Sequence, residues 1–567
     1  MQTSKNDFSV LEFRLAQIAY WTGILASFLV LPWTNYDPIS VPKLMAISVG
    51  AFGFLFLNLF NRKVFIKRLS NLDRVAFLFF SISLLIPLII SDSDLQQQFW
   101  GVFGRNTGFL AYLSLLVILF SVSIIQNIGL YERILWAFAL SAVPMTIYCV
   151  FQYLKLDPIN WSEKFVFGTL GNVNFLSAYL GMTSIACIGL CINKNLDSSK
   201  RLGLILLVLL DLFLIISTKS IQGPIIFVVG SAFIPLLLML TKNHKFRKFL
   251  APYLCLGIIA GIFLVLSLFN KGPLAKLIFQ PSIIFRADYM HAGYAMFLKS
   301  PLTGVGMDSY GEWYRELRGE ISTVRTGPGR VSNTAHNIFL DVASNGGTFL
   351  AFAYLLLMFI VLSSIIRLVR RGAMVDPLVL TATSIWIAYE VQSLVSINQL
   401  GVGVWGWIFS GLIIGIDRKS ARELRENSTI STQSKPKKSP LKGQLLPAGQ
   451  SLVLFLGLSV GFLIALPPVV ADAGYRKASN QGKFENMYQA THRLGSTAQH
   501  RELLLDWTVR NGMASETRLV ADELVKKYPR SFYGWRILSV AVASTPEERT
   551  YALDRARVLD PFNPELK

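Results

Sequence analysis

Thirteen apolar blocks restrict how this chain can fold more than any other feature of its sequence. Most are about 18–22 residues long, and a helix of about 20 apolar residues crosses the hydrocarbon core of a bilayer. Because 53% of the residues are hydrophobic and only 16% are charged, a water-soluble fold is disfavoured. We therefore predict an all-α, polytopic membrane protein with about 13 transmembrane helices. The blocks are 15–33, 42–60, 73–91, 108–125, 132–151, 174–193, 201–217, 220–241, 249–269, 338–366, 374–395, 400–416 and 450–471.

Two places in this pattern need a closer reading. The block 338–366 is too long for one straight crossing, so we expect it to tilt or to begin outside the hydrocarbon core. The blocks 201–217 and 220–241 are separated by polar residues and by Gly223-Pro224. Because this sequence interrupts a helix, it favours a tight re-entry over one long helix.

Lysine and arginine are concentrated in alternate loops. The loops 61–72, 241–248 and 367–371 and the segment 417–449 are basic, whereas the loops between them carry few positive charges. The positive-inside rule then places the N-terminus in the cytoplasm and the long loop 270–337 outside. We predict a multi-pass protein of the inner (plasma) membrane. The net charge of +20 is assigned to loops that face anionic lipid, and no nucleic-acid partner is predicted.

The predicted organisation has four parts. Residues 1–416 form the membrane body, and its one large external loop covers 270–337. A basic cytoplasmic linker rich in Ser, Lys and Pro follows at 417–449, and its composition cannot bury a core. A last transmembrane helix, 450–471, leads to an extracytoplasmic helical tail, 472–567.

The tail carries apolar residues at helical spacing. Two stretches, KKYPRSFYGWRILSVAV and ALDRARVLDPFNPELK, resemble tetratricopeptide repeats. Helix pairs of this type bind a peptide or protein, or pack against another part of the same chain. We predict a docking role, with a possible protein partner, in preference to catalysis.

The external loop is the place to look for function, because a membrane protein with short loops has little reason to keep one long polar segment. His336 lies where this loop enters the next helix. Its imidazole suits a general base, although a histidine here can also cap a helix. Arg286 can bind a phosphate or diphosphate through two hydrogen bonds, or extend toward lipid headgroups. Asp288 lies close enough in sequence to pair with Arg286.

Three further polar residues lie at the ends of predicted membrane helices. Glu390 is near the outer end of its helix, where a carboxylate faces a cavity or a partner side chain. Asn172 and Asn174, in FGTLGNVNFLSAYL, can contact a sugar or phosphate or can start a helix. The acidic cluster at 92–94 lacks other ligands, so no metal and no cofactor are predicted.

Four motifs together resemble the O-antigen ligase family of bacterial polysaccharide ligases, polymerases and O-linked oligosaccharyltransferases. They are GRNTGFLAYLSL at 104–115, GTLGNVNFLSAYL at 168–180, RADYMHAGYAMFLKSPLTGVGMDSY at 286–310 and AHNIFLDVASNGG at 335–347. The resemblance implies an architecture like that of the GT-C glycosyltransferases. It also implies metal-independent transfer of a glycan from a polyprenyl-diphosphate carrier to an acceptor hydroxyl, outside the inner membrane. In that reading Arg286 holds the diphosphate and His336 activates the acceptor.

The chain departs from the family where a second arginine is expected. Many members have Ser-Arg-Gly between two helices, and here the turn reads Ser-Ile-Gln-Gly from Ser220 to Gly223. Lys219 or Arg105 could supply the missing charge, and Gln222 a hydrogen bond. Asn337, beside the histidine, is also predicted to contact substrate.

Several alternatives stay open at this level. Within the family, the acceptor can be a lipid, a glycan or a protein, so a ligase, a polymerase and a protein O-oligosaccharyltransferase all fit. Outside it, a transporter or flippase would explain the many helices and the intramembrane Asp211 and Glu390. If the protein is a membrane scaffold, the tail is the region that carries its function.

Overall fold

The computed structural model describes residues 5–161, 165–242, 244–429 and 446–566. Within these ranges every regular element is a helix, which confirms the predicted all-α fold. Short 3₁₀ helices cover Lys245–Phe249, Ala373–Val375 and Pro564–Leu566. The α-helices are α1 (Lys5–Phe28), α2 (Ser40–Phe60), α3 (Arg62–Arg68), α4 (Asn71–Ile90), α5 (Leu95–Trp100), α6 (Phe109–Ser123), α7 (Ile128–Tyr153), α8 (Val173–Cys191), α9 (Ser198–Ser217), α10 (Gln222–Leu240), α11 (Leu250–Leu268), α12 (Ala275–Ile278), α13 (Pro281–Lys299), α14 (Tyr310–Leu317), α15 (Glu320–Thr326), α16 (Ile338–Arg370), α17 (Pro377–Ser393), α18 (Leu400–Thr429), α19 (Ala448–Gln481), α20 (Phe484–Thr491), α21 (Ala498–Arg510), α22 (Ala514–Lys527), α23 (Phe532–Leu538) and α24 (Pro546–Leu559).

Each predicted apolar block coincides with one helix. Among the described residues, nine of these helices are long and apolar enough to cross a membrane by length and composition: α2, α4, α7, α8, α10, α11, α16, α18 and α19. The other four blocks lie on α1, α6, α9 and α17, which are shorter or more polar. The chain is therefore a polytopic membrane protein. The first helix ends at Phe28, earlier than predicted, because the loop that follows contains Pro32 and Pro38.

The core of the membrane body surrounds α18. The apolar part of α18 is wholly buried, whereas that of α11 is wholly exposed at the periphery. Trp405 of α18 is fully buried, with its ring 4.7 Å from the ring of Phe138. Glycine at Gly411 allows close packing, because a Cβ there would lie 2.2 Å from the Leu119 carbonyl oxygen.

Helix α16 is bent near its start. Gly347 has φ +69° and ψ −169°, which breaks the helical path. A Cβ at this position would lie 2.4 Å from the Leu302 carbonyl oxygen, so only glycine fits. The bend separates the first turns of α16, which carry site residues, from the apolar helix that follows.

One end of the bundle, called the site end, joins segments that are distant in sequence. The Asp37 carboxylate accepts a hydrogen bond from the Gly104 N–H at 3.0 Å. The Asn337 side chain donates to the Leu394 carbonyl at 3.1 Å. At this end of the bundle these bonds join the segment 29–39 to 101–108, and the segment 270–337 to 394–399.

The opposite end, called the basic end, is held by arginine ion pairs. Arg418 pairs with Asp73, and Arg371 pairs with Asp417 at 2.7 Å. These contacts join the start of α4 and the end of α16 to α18. The loops at this end are the basic ones that the sequence predicts to face the cytoplasm.

Two boundaries differ from the predicted organisation. Helix α18 continues to Thr429, so the beginning of the predicted linker is helical, and residues 430–445 lie outside the described part of the chain. Helix α19 continues past the predicted boundary at 471 to Gln481. Its polar end, from Asp472 onward, keeps helical spacing and joins the tail to the last membrane helix without a break.

The tail packs against the external segment of the membrane body. Helices α20 to α24 follow one another in pairs, and their assignment as tetratricopeptide repeats stays a prediction. Arg318 and Arg315, at the end of α14, pair with Asp560 of the tail at 2.7 and 3.0 Å. The side chains of Arg318 and Asp560 are fully buried, and Arg530 of the tail pairs with Glu316 of α14. The tail is therefore docked at the site end.

Candidate functional site

The segment that carries His336 is held by one carboxylate. Asp341, in the first turn of α16, accepts hydrogen bonds from the Ala335 N–H at 2.8 Å and from the Thr334 hydroxyl. The Thr334 oxygen in turn accepts from the N–H of His336 at 3.1 Å. The backbone around the histidine is thus fixed before any ligand binds.

His336 has an unusual backbone conformation. Its φ is +53°, a left-handed region that side chains with a Cβ rarely adopt. Such conformations persist where the surrounding structure fixes them, and they are common at functional sites. The hydrogen bonds from the preceding segment to Asp341 provide that constraint here.

The imidazole of His336 is uncharged near neutral pH. Burial, together with the charges of Arg286 and Arg105, lowers the pKa of His336 to about 3. Its ring lies against the ring of Tyr289, with centroids 5.2 Å apart and an interplanar angle of 30°. A neutral imidazole is the form that can accept a proton.

Arg286 reaches the same region from α13. Its Nη2 donates to the Oε1 of Gln222 at 3.3 Å, and Gln222 also donates to Gln392 of α17. Tyr289 follows Arg286 by about one helical turn, so Arg286 and the ring that stacks on His336 share one face of α13. The structure thus brings Arg286, Gln222 and His336 together.

The turn between α9 and α10 is tied to the start of α8. Ser220 donates to the Oδ1 of Asn174 at 2.7 Å, which places Asn174 beside the turn that carries Gln222. Asn172 is exposed and caps α8 by accepting from the Asn174 N–H at 2.8 Å. Lys219 is exposed with φ +56°, and it forms no ion pair within the described part of the chain.

Arg105 lies near His336 and already has two carboxylate partners. It pairs with Asp308 at 3.8 Å and with Asp341 at 3.5 Å, and it donates to the Asn333 carbonyl. These two carboxylates would compete with a diphosphate for the guanidinium. Arg105 therefore supports the segment that carries the histidine.

Two predicted site residues have other partners, and a third has no hydrogen-bond partner among the described residues. Asp288 pairs with Arg325 at 3.2 Å, so the sequence-based idea that it pairs with Arg286 is wrong. Asn337 caps α16, accepting from the Leu340 N–H at 3.0 Å. Glu390 in α17 is largely buried, and neither of its carboxylate oxygens has a hydrogen-bond partner in the described structure.

Two residues that the sequence analysis did not select lie at this site. Tyr289 stacks on His336, and its spacing from Arg286 was the available signal. Arg330, from the glycine-rich run near the end of the external loop, lies over the ring of Phe285 at 4.3 Å from its centroid. No sequence pattern marks Arg330 off from its neighbouring arginines.

The arrangement suits proton transfer beside a bound anion. It combines a neutral imidazole with a guanidinium that has only neutral hydrogen-bond partners. The guanidinium can stabilise negative charge that develops on a leaving group, and the imidazole can take a proton from a hydroxyl. No group of three or more potential metal ligands occurs among the described side chains.

Comparison with known families gives one match. Residues 204–355 match the model of the O-Antigen ligase family, which confirms the predicted resemblance for this segment. The match runs from α9 into α16 and includes Lys219, Gln222, Arg286 and His336, whereas Arg105 and the tail lie outside it. No curated protein gives a significant match to the chain.

Proposed function

We propose, on the premise that residues 204–355 form an O-antigen ligase domain, that this protein transfers a glycan from a polyprenyl-diphosphate carrier to an acceptor hydroxyl. A polysaccharide ligase or polymerase type of function already follows from the family match. The proposal adds the identity of the glycan donor and the roles of two residues. His336 is the general base, and Arg286 holds the diphosphate.

The observation that carries the proposal is the position of a neutral imidazole beside an arginine that has no carboxylate partner among the described residues. The acceptor oxygen attacks the anomeric carbon of the donor sugar while His336 takes the hydroxyl proton. The bond from that carbon to the diphosphate oxygen breaks, and the electron pair leaves with the polyprenyl diphosphate. Arg286 stabilises the negative charge that forms on this leaving group.

The low pKa of His336 fits this sequence of events. A general base works best when its pKa lies near the working pH, and a value of about 3 is too low. The diphosphate brings negative charge to the place where Arg286 and Arg105 now act on the ring. Donor binding is therefore expected to raise the pKa of His336 and to make the imidazole a stronger base.

The charge distribution supports an outer-face reaction. The site end and the basic end lie at opposite ends of the membrane helices, and positive charge favours the cytoplasmic side. We infer that the site end faces the outside of the inner membrane, where lipid-linked glycans are consumed. The docked tail is then extracytoplasmic.

The acceptor stays a choice among a lipid, a glycan and a protein hydroxyl, which separates a ligase from a polymerase and from a protein O-oligosaccharyltransferase. A transporter or flippase is less well supported. Of the two intramembrane acids that suggested one, Asp211 accepts hydrogen bonds from Thr146 and Ser184, which supports a structural role. A pure scaffold would not need an arginine without a carboxylate partner beside a neutral histidine.

The test is a His336→Asn variant. Asparagine tolerates positive φ, so the backbone should keep its conformation while the base is lost. Transfer from a polyprenyl-diphosphate oligosaccharide in membrane vesicles should fall roughly 100- to 10,000-fold. The control is His291→Asn, an exposed histidine of α13, which should keep transfer within about twofold. Full activity of His336→Asn at normal expression would overturn the assignment.

A further inference from the structure

The external segment contains five arginines with two kinds of surroundings. Arg315 and Arg318 both pair with Asp560, and Arg325 pairs with Asp288. The other two, Arg286 and Arg330, have no carboxylate partner within the described residues. A negatively charged ligand at the site end would therefore meet two uncompensated guanidinium groups in this segment.

Arg286 is on α13, and Arg330 lies against the same part of that helix. Arg330 lies over Phe285, and Tyr289 follows Phe285 by four positions. Burial raises the pKa of Tyr289, and the charges of Arg330 and Arg286 both act in the opposite direction, which agrees with two cations close to this ring. Tyr289 also lies against His336, so the ring that both cations approach is the neighbour of the proposed base.

The backbone that presents Arg330 is fixed by the two arginines that bind the tail. Arg318 donates to the Arg330 carbonyl at 2.9 Å and to the Pro328 carbonyl at 3.1 Å. Arg315 donates to the same Pro328 carbonyl at 2.7 Å. Both guanidinium groups are in turn held by the buried Asp560. One carboxylate of the tail thus controls the turn that carries Arg330.

We propose that Arg330 is the second diphosphate-binding cation of this protein, and that the docked tail holds it in place through Asp560. The inference rests on the proposed function. It replaces the two candidates that the sequence offered, because Arg105 already pairs with two carboxylates and Lys219 makes no described contact with the site. It also gives the tail a role, which is to position a site residue of the membrane body.

Two arginines suit a diphosphate better than one. Each guanidinium can donate two parallel hydrogen bonds to phosphate oxygens, so one arginine can serve each phosphate. A monophosphate can form this pair of hydrogen bonds with only one of the two arginines. The ratio of diphosphate to monophosphate affinity therefore reports the second cation directly.

The first experiment measures binding of farnesyl diphosphate and farnesyl monophosphate to the purified full-length protein. Arg330→Ala should weaken diphosphate binding roughly 10- to 100-fold and monophosphate binding much less. Arg330→Lys should restore part of the loss because it keeps the charge. The matched control is Arg325→Ala, which removes a paired arginine of the same loop and should leave both affinities within about twofold.

The second experiment tests the tail. Asp560→Asn should reduce the ratio of diphosphate to monophosphate affinity, as Arg330→Ala does. The double variant Asp560→Asn with Arg330→Ala should bind the diphosphate no more weakly than Arg330→Ala alone. Asp554→Asn, an exposed change in α24 whose carboxylate pairs only with Arg557 among the described residues, is the control.

The two proposals fail in different ways. Suppose that His336→Asn abolishes transfer but Arg330→Ala keeps the ratio of diphosphate to monophosphate affinity unchanged. This result would overturn the inference about Arg330 and leave the proposed function intact. Full transfer in His336→Asn would remove the proposed function itself. A double variant clearly weaker than either single variant would show that Asp560 does not act through Arg330.

Discussion

Two pairs of arginines in one external segment have opposite surroundings. Arg315 and Arg318 are held by the buried Asp560, so their charges join the tail to the membrane body. Arg286 and Arg330 have only neutral or aromatic partners, so their charges stay available. This contrast supports the roles that we propose, which are structural for the pair held by a carboxylate and ligand-binding for the pair with no carboxylate partner among the described residues.

The largest expected effect concerns the structural pair. Arg318→Ala leaves Asp560 buried with one partner fewer, and breaking a buried ion pair lowers the free energy of unfolding by about 3–5 kcal/mol. Thermal unfolding in detergent, and the rate at which a protease releases the tail, would measure this. Equal stability of Arg318→Ala and Arg286→Ala would contradict the assignment of structural and ligand-binding roles.

The reverse pattern is expected for the ligand-binding pair. Arg286→Ala should lower kcat/KM for the lipid-linked donor by roughly 10- to 100-fold, since a charge-assisted hydrogen bond contributes about 1.5–3 kcal/mol. Its thermal unfolding should match that of the unmodified protein within about 0.5 kcal/mol. Unchanged donor kinetics in this variant would show that the diphosphate binds elsewhere.

A smaller effect is expected from pH. Because the pKa of His336 is about 3, the imidazole stays neutral and competent at pH 5.5, and kcat/KM should change less than about twofold between pH 5.5 and 7.5. A histidine with its ordinary pKa of about 6.5 would lose about tenfold at pH 5.5. Arg286→Ala removes one cause of the low pKa of His336, so the pH at which kcat/KM of this variant falls in acid should be higher. A fall of kcat/KM near pH 6.5 in the unmodified protein would argue against a buried base.

The smallest effect concerns the paired arginine at the surface. The side chain of Arg325 is 40% exposed and pairs with Asp288. Exposed ion pairs contribute about 0–1 kcal/mol, so Arg325→Ala should change neither stability nor transfer measurably. A large loss of transfer would mean that a carboxylate partner does not mark an arginine as structural.

The sequence predicted much of the fold because apolar length is a local property. Each apolar block became a helix, and the block that is too long for one straight crossing became α16, which bends at Gly347. The residues at which the helices end were less predictable. Helix α18 continues through charged residues to Thr429, because contacts and helix propensity extend it beyond the apolar block.

The site was predictable in its chain positions and less so in its partners. His336 and Arg286 could be selected because rare residue types stood at the borders of one long polar loop. Which arginines are neutralised depends on contacts between distant segments, such as Arg318 with Asp560. No spacing in the sequence reports such a contact, so the sequence neither singled out Arg330 nor showed that Arg105 pairs with two carboxylates.

The most direct test of the account asks where the diphosphate binds. A polyprenyl diphosphate with a photoreactive group next to the diphosphate would be cross-linked to the full-length protein in vesicles, and the labelled peptides identified by mass spectrometry. We expect labelling in residues 281–299 and 327–337, lost on competition with unlabelled polyprenyl diphosphate. Competed labelling confined to the basic end, around Arg371 and Arg418, would contradict the account.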